Sequence, residues 1–208
     1  MKAIYQVGSL LLLGLKLQIY FLLKTCMGGI VLGIFPAFFE TFRILRQCMN
    51  ERDIHHVYLI KELKKFDKKE FVKMNILGYL FTFFIYLQVL NLQISRYIIQ
   101  IRLLHWFILF VLILTTSMWL YVVALFTKYD LPIRQYVLQG FLCSIVGILE
   151  TIAIILGIGI VMGLGLMVPS VGFFLGIPLL MVPHAWFSQA VIVRLERVFY
   201  KNNPNSVE

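Results

Sequence analysis

Gly33-Ile34-Phe35-Pro36-Ala37 closes one hydrophobic stretch of this chain, and Lys68-Lys69-Glu70-Phe71-Val72-Lys73-Met74-Asn75-Ile76-Leu77-Gly78 opens the next. The charged segment between them decides the fold. Nine of the nineteen Lys/Arg residues fall between Arg43 and Lys73, in a chain that is 61% hydrophobic and only 14% charged. A soluble domain carries roughly 25% charged residues. The mean hydropathy of +0.89 leaves more apolar surface than a core of 208 residues can hide, so the surplus faces lipid. An all-α, polytopic membrane helix bundle in one domain, 1–208, is the expectation.

Outward from that block, a bilayer span needs about 20 apolar residues, and the chain offers about five such stretches: 4–35, 75–94, 103–126, 137–162 and 169–193. The first is too long for an untilted helix, because 32 residues at a rise of about 1.5 Å exceed a hydrocarbon core of about 30 Å. Pro36 predicts a kink or stop there. Segment 37–74 reads as cytoplasmic and helical. Glu40, Arg43 and Arg46 lie three apart on a short interfacial helix over 37–49. A second polar helix over 53–73 carries Ile54, Val57, Ile60, Leu63 and Phe66 as an apolar stripe. Trp106, Trp119 and Tyr121 near the ends of the third span suit aromatic belts.

Placing the 43–73 block inside, alternation of the spans puts Lys128 and Arg134 inside, with Arg194, Arg197 and Lys201. Lys2, Arg96 and Arg102 fall outside. The bias predicts an N-out, C-in topology. The net charge of +9 clusters beside apolar spans and so points to an anionic membrane face; no nucleic-acid module is present. Cys26, Cys48 and Cys143 form no CxxC, so neither a disulfide nor a metal site is expected.

The run from Gly33 to Ala37, its spacing to Phe66-Asp67-Lys68-Lys69-Glu70-Phe71-Val72-Lys73-Met74-Asn75-Ile76-Leu77-Gly78, and the Tyr129-Asp130-Leu131-Pro132 loop resemble the YesL family, also called the domain of unknown function 624. The motif residues are Gly33, Phe35, Pro36, Asn75 and Gly78. The resemblance implies a multi-pass protein of the bacterial plasma membrane, with no established catalytic residues and no cofactor. It also implies an association with carbohydrate uptake and a partnership with ABC sugar-importer permease subunits. Where that family has an Asn-Leu-Leu-Trp-like stretch in its first helix, this chain has Gln18-Ile19-Tyr20.

The residues nominate an intramembrane polar site of Glu150, Lys24, Lys16 and His184. Glu150 stands near the middle of the expected fourth span, where a carboxylate costs several kcal/mol unless it is protonated or paired. Lys24, Lys16 and His184 are its expected partners, with Lys16 and Lys24 roughly on one helical face. The competing reading of each is structural: an ion pair, snorkelling, or a hydrogen-bonded packing histidine. Gly157, Gly159, Gly163, Gly165, Gly172 and Gly176 suit close helix packing, within one chain or in a homo-oligomer. Pro169, Pro178 and Pro183 punctuate the fifth span. No HExxH, GxSxG or Walker loop occurs, and adjacent His55 and His56 do not share a helical face. The expected function is that of a non-enzymatic membrane protein assisting a carbohydrate importer. The alternatives are a transporter or channel built around Glu150 and, third, an envelope enzyme using Glu40.

Overall fold

The computed structural model describes residues 2–51 and 67–202. Among these residues the chain is all-α, with no strand. The helices are α1 (Lys2–Met27), α2 (Ile34–Glu51), α3 (Lys68–Ile94), α4 (Arg102–Phe126), α5 (Ile133–Val146), α6 (Ile148–Met167) and α7 (Pro169–Asn202), with a π-helical turn, Ser95–Ile99, following α3. Among the described residues, four stretches are long and apolar enough to cross a membrane: Lys68–Tyr97, Arg102–Phe126, Ile148–Met167 and Pro169–Arg197. The surface agrees with that reading. Leu103, Trp106, Phe107 and Phe110 of α4 and Leu149, Leu156, Ile160 and Leu166 of α6 are all exposed, a larger apolar face than a soluble chain presents. The protein is a membrane helix bundle.

Expected spans two, three and five lie inside α3, α4 and α7. The other two are broken, and each break has a cause. The first expected span, 4–35, stops at Met27. Gly28 and Gly33 then approach so closely that a Cβ on Gly28 would sit 2.4 Å from Gly33 Cα, and a Cβ on Gly33 would sit 2.2 Å from Thr25 O. Gly29 takes φ +79° between them, an angle glycine reaches without steric cost. The turn lies within the depth of the bundle. Tyr79, eleven residues into α3, donates its hydroxyl to Val31 O at 2.7 Å. Pro36 neither kinks nor stops a helix; it occupies the first turn of α2, where its missing N–H costs nothing.

The fourth expected span, 137–162, is divided at Gly147 into α5 and α6. Tyr121 donates to Gly147 O at 2.9 Å and shares a 3.1 Å contact with Thr151 Oγ1. A hydroxyl from α4 thus occupies the space where a side chain at 147 would lie.

Segment 37–74 also differs from expectation. α2 is a core helix, not an interfacial one: Ala37, Phe39, Thr41, Phe42, Ile44, Leu45, Arg46 and Cys48 are buried, and the helix packs on α1, α3, α4 and α7. Phe35 and Phe39 meet the Trp119 ring edge-on at 6.1 and 5.6 Å, and Phe81 joins them at 5.4 Å. Residues 68–74 belong to α3 itself. Asp67 caps it, accepting from Lys69 N at 2.8 Å, and Glu70 lies in the first turn, where the helix dipole favours a carboxylate. The Ile54–Phe66 stripe, His55 and His56 lie outside the described residues.

Candidate functional site

Breaking 137–162 at Gly147 moves Glu150 from mid-span to the first turn of α6. Its carboxylate pairs with the Arg194 guanidinium of α7. Arg194 lies two residues from Glu196, which pairs with Lys128 just past the end of α4. Glu150 is therefore near the end of the bundle where α4 finishes, with a cation and a helix N-terminus both supporting its charge.

The nominated partners go elsewhere. Lys24, in the last turn of α1, meets Glu40 of α2 at 2.9 Å, with only 6% of its side chain exposed. Lys16 is exposed, so it does not share Lys24's surroundings. His184 is buried, with Nε2 2.7 Å from Leu120 O and its ring 4.5 Å from Phe42, the arrangement of a packing histidine. The four nominated residues do not gather into one site.

Among the motif residues, two touch across helices. A Cβ on Gly78 would lie 2.2 Å from the Phe35 ring, so this glycine is a seat for that ring. Asn75 donates Nδ2 to Phe71 O at 3.0 Å. Its buried Oδ1 has no hydrogen-bond partner among the described residues.

What the fold does assemble is a polar pocket of about 200 Å³ between α1, α2 and the start of α3, lined by Tyr20, Glu40, Arg43, Gln47, Asp67 and Glu70. Tyr20 donates its hydroxyl to Glu40 at 2.7 Å, so the Glu40 carboxylate is held by a phenol and an ammonium together. Arg43 reaches across to Glu70, at 2.9 and 3.4 Å to its two oxygens, a two-point fork. Asp67 is committed to capping α3. One turn beyond the pocket, buried Arg46 donates to Ala124 O at 2.9 Å and Thr127 Oγ1 at 3.1 Å. It closes the C-terminal carbonyls of α4 with a cation, as the dipole favours. Burial holds its guanidinium below the usual arginine value, and Glu196 works in the opposite direction.

Hydroxyl, amide, carboxylate and guanidinium groups converge here on a space the size of a small ligand. Sequence reasoning missed Tyr20, Gln47, Asp67 and Glu70 as a group. Two signals were present. Asp67 followed by Glu70 is the N-cap spacing that marks the start of α3. Gly147 followed by Glu150 likewise sets a carboxylate at the third position of α6. No cluster of three metal-ligating side chains occurs among the described residues.

No curated protein and no solved structure matches the chain. All six polar residues of the pocket, and the motif residues from Gly33 to Gly78, fall within the one segment that a family model does match. That model, described as a protein of unknown function, DUF624, covers residues 15–92, and over this segment the chain is similar to the DUF624 family.

Proposed function

We propose that this chain is a non-enzymatic, multi-pass protein of the bacterial plasma membrane that assists carbohydrate uptake as a partner of an ABC importer permease. The observation that carries the non-catalytic reading is the engagement of every carboxylate in the pocket. Glu40 is bound by Lys24 and Tyr20, Glu70 by Arg43, and Asp67 by a backbone N–H. A general acid or base needs a proton it is free to exchange with substrate, whereas such fixed dipoles suit hydrogen bonding to a neutral, hydroxyl-rich molecule or to a polar partner segment. The carbohydrate assignment rests on the resemblance of the sequence to that family. Orientation follows from charge. Lys68, Lys73, Lys128, Arg134 and Arg194 belong to the end where α3 and α5 begin and α4 finishes, and basic residues favour the cytoplasmic face.

A transporter centred on Glu150 draws no support from the geometry, because Lys24, Lys16 and His184 stand apart from it. The test of the proposal is co-purification from native membranes in mild detergent. A permease recovered with the wild-type chain, and lost when Arg43→Glu breaks the fork with Glu70, is the expected result. Recovery of the chain alone counts against the proposal.

A further inference from the structure

A second cavity has a different character. About 440 Å³ in volume, it lies between the end of α4, the 127–132 loop, α5 and α7. Leu125, Leu138, Leu142, Val146, Ile192 and Leu195 line its walls. It exists because α5 is a separate helix of 14 residues that leans on α4 and makes little contact with α7. A single straight span would have closed it. Its size is that of a ligand cleft, its walls are almost wholly apolar, and Leu138, Leu142 and Val146 are also exposed at the surface of α5, so the cleft opens sideways.

Basic residues stand next to the lining of this cleft, which itself carries one charged side chain, Glu196. Arg134 is in the first turn of α5, one turn before Leu138 and two before Leu142, so all three lie along one row of the helix. It is exposed and makes no ion pair among the described residues. A cation in a first turn opposes the helix dipole, whereas an anion at that position would be held by both the guanidinium and the helix N-terminus. Lys128 is nearby, paired with Glu196 of the cleft wall and lying 5.3 Å from the centre of the Tyr129 ring. An apolar cleft with an unpaired arginine one turn from its lining, at the end of a membrane helix bundle, matches one class of molecule in both its halves. We infer that the cleft between α5 and α7 holds an acyl chain of an anionic phospholipid, with the lipid phosphate at Arg134. The inference rests on the membrane placement of the bundle and not on the polar pocket or on any role in uptake.

The full chain in detergent, titrated separately with phosphatidylglycerol and phosphatidylcholine and read by native mass spectrometry, tests this. Phosphatidylglycerol adducts should exceed phosphatidylcholine adducts by about fivefold, the factor one basic residue contributes at an anionic surface. Arg134→Ala should bring the two lipids level. Leu142→Trp, or Leu138→Trp if the first variant loses its helical circular dichroism, should lower binding of both by filling the cleft. Equal binding of the two lipids by the wild-type chain would overturn the inference. So would a preference that survives Arg134→Ala, or lipid binding that survives the tryptophan variant. Competition by glycerol phosphate as effective as by phosphatidylglycerol would also overturn it, since the acyl chain would then contribute nothing.

Discussion

At the scale of single residues, the decisive contact is that of Lys24 with Glu40. Both lie in the bundle, with 6% and 19% of their side chains exposed, so neither charge is well hydrated without the other. Removing one member of such a pair leaves an uncompensated charge, at a cost of about 3–5 kcal/mol, while replacing both can be close to neutral. Lys24→Met should therefore lower the melting temperature in detergent strongly, and Lys24→Met with Glu40→Gln should recover a substantial part of the loss. A double variant as unstable as the single one would show that Lys24 supports the fold by another route. The sequence marks Lys24 and Glu40 as notable, but on separate grounds: Lys24 as a partner for a mid-span carboxylate and Glu40 as a residue of an interfacial helix. Nothing in their spacing disclosed the pair, because the turn at 28–33 that folds α2 back against α1 depends on a glycine contact between residues five apart.

Breaks, not spans, distinguish the elements of this bundle. Apolar length sufficed to place α3, α4 and α7, since a run of about 20 apolar residues has few alternatives. It misplaced the other two helices because hydropathy does not register a break made of apolar residues. Ser144-Ile145-Val146-Gly147-Ile148-Leu149 reads as continuous span, yet Tyr121 of α4 divides it. A Cβ at Gly147 would lie 2.3 Å from Tyr121 Oη and 2.7 Å from Val191 Cγ2. Gly147→Ala should thus cost about 1–3 kcal/mol from overpacking. Gly159→Ala, inside α6 with open space around it, should be neutral or slightly stabilising, since alanine is favoured over glycine in a helix by about 1 kcal/mol. Melting curves of the two variants side by side check this, and equal effects would contradict the account of the break.

The 127–132 loop is fixed just as specifically. Tyr136 donates to Tyr129 O and accepts from Leu131 N, and Lys73 of α3 meets Asp130 at 2.7 Å. The Lys73 hydrogen bond holds the Asp130 carboxyl below its usual value of 3.8. With the folded value below the unfolded one, the stabilisation is full above the unfolded value and is lost as pH falls through the folded one. Asp130→Asn should therefore lower the melting temperature slightly near neutral pH, and the difference from wild type should shrink as the pH falls below about 3.8 and vanish below the lowered folded value. The effect is small because Asp130 is fully exposed. A difference that persists in acid would exclude the ion pair as its cause.

At the scale of the whole molecule, ten ionisable side chains of the bundle are neutralised in five pairs. Lys24 joins Glu40, Arg43 joins Glu70, Lys73 joins Asp130, Lys128 joins Glu196 and Arg194 joins Glu150. Four of these five pairs tie one helix directly to another or to the α4–α5 loop near the same end of the bundle. The sequence made that end legible through its excess of Lys and Arg, and it made the bundle legible through apolar length. Which acid meets which base was not legible, because each pair joins segments between 16 and 68 residues apart. With Glu150 tied to Arg194, a transporter centred on a lone Glu150 carboxylate loses its named site, and the proposed reading is that of a partner, not a carrier. Uptake into proteoliposomes holding the purified chain alone, with radiolabelled oligosaccharides and rubidium ion as probes, tests that reading most directly. No uptake above protein-free vesicles, and no difference between wild type and Glu150→Gln, is the predicted result; uptake by the wild-type chain that Glu150→Gln abolishes would contradict it.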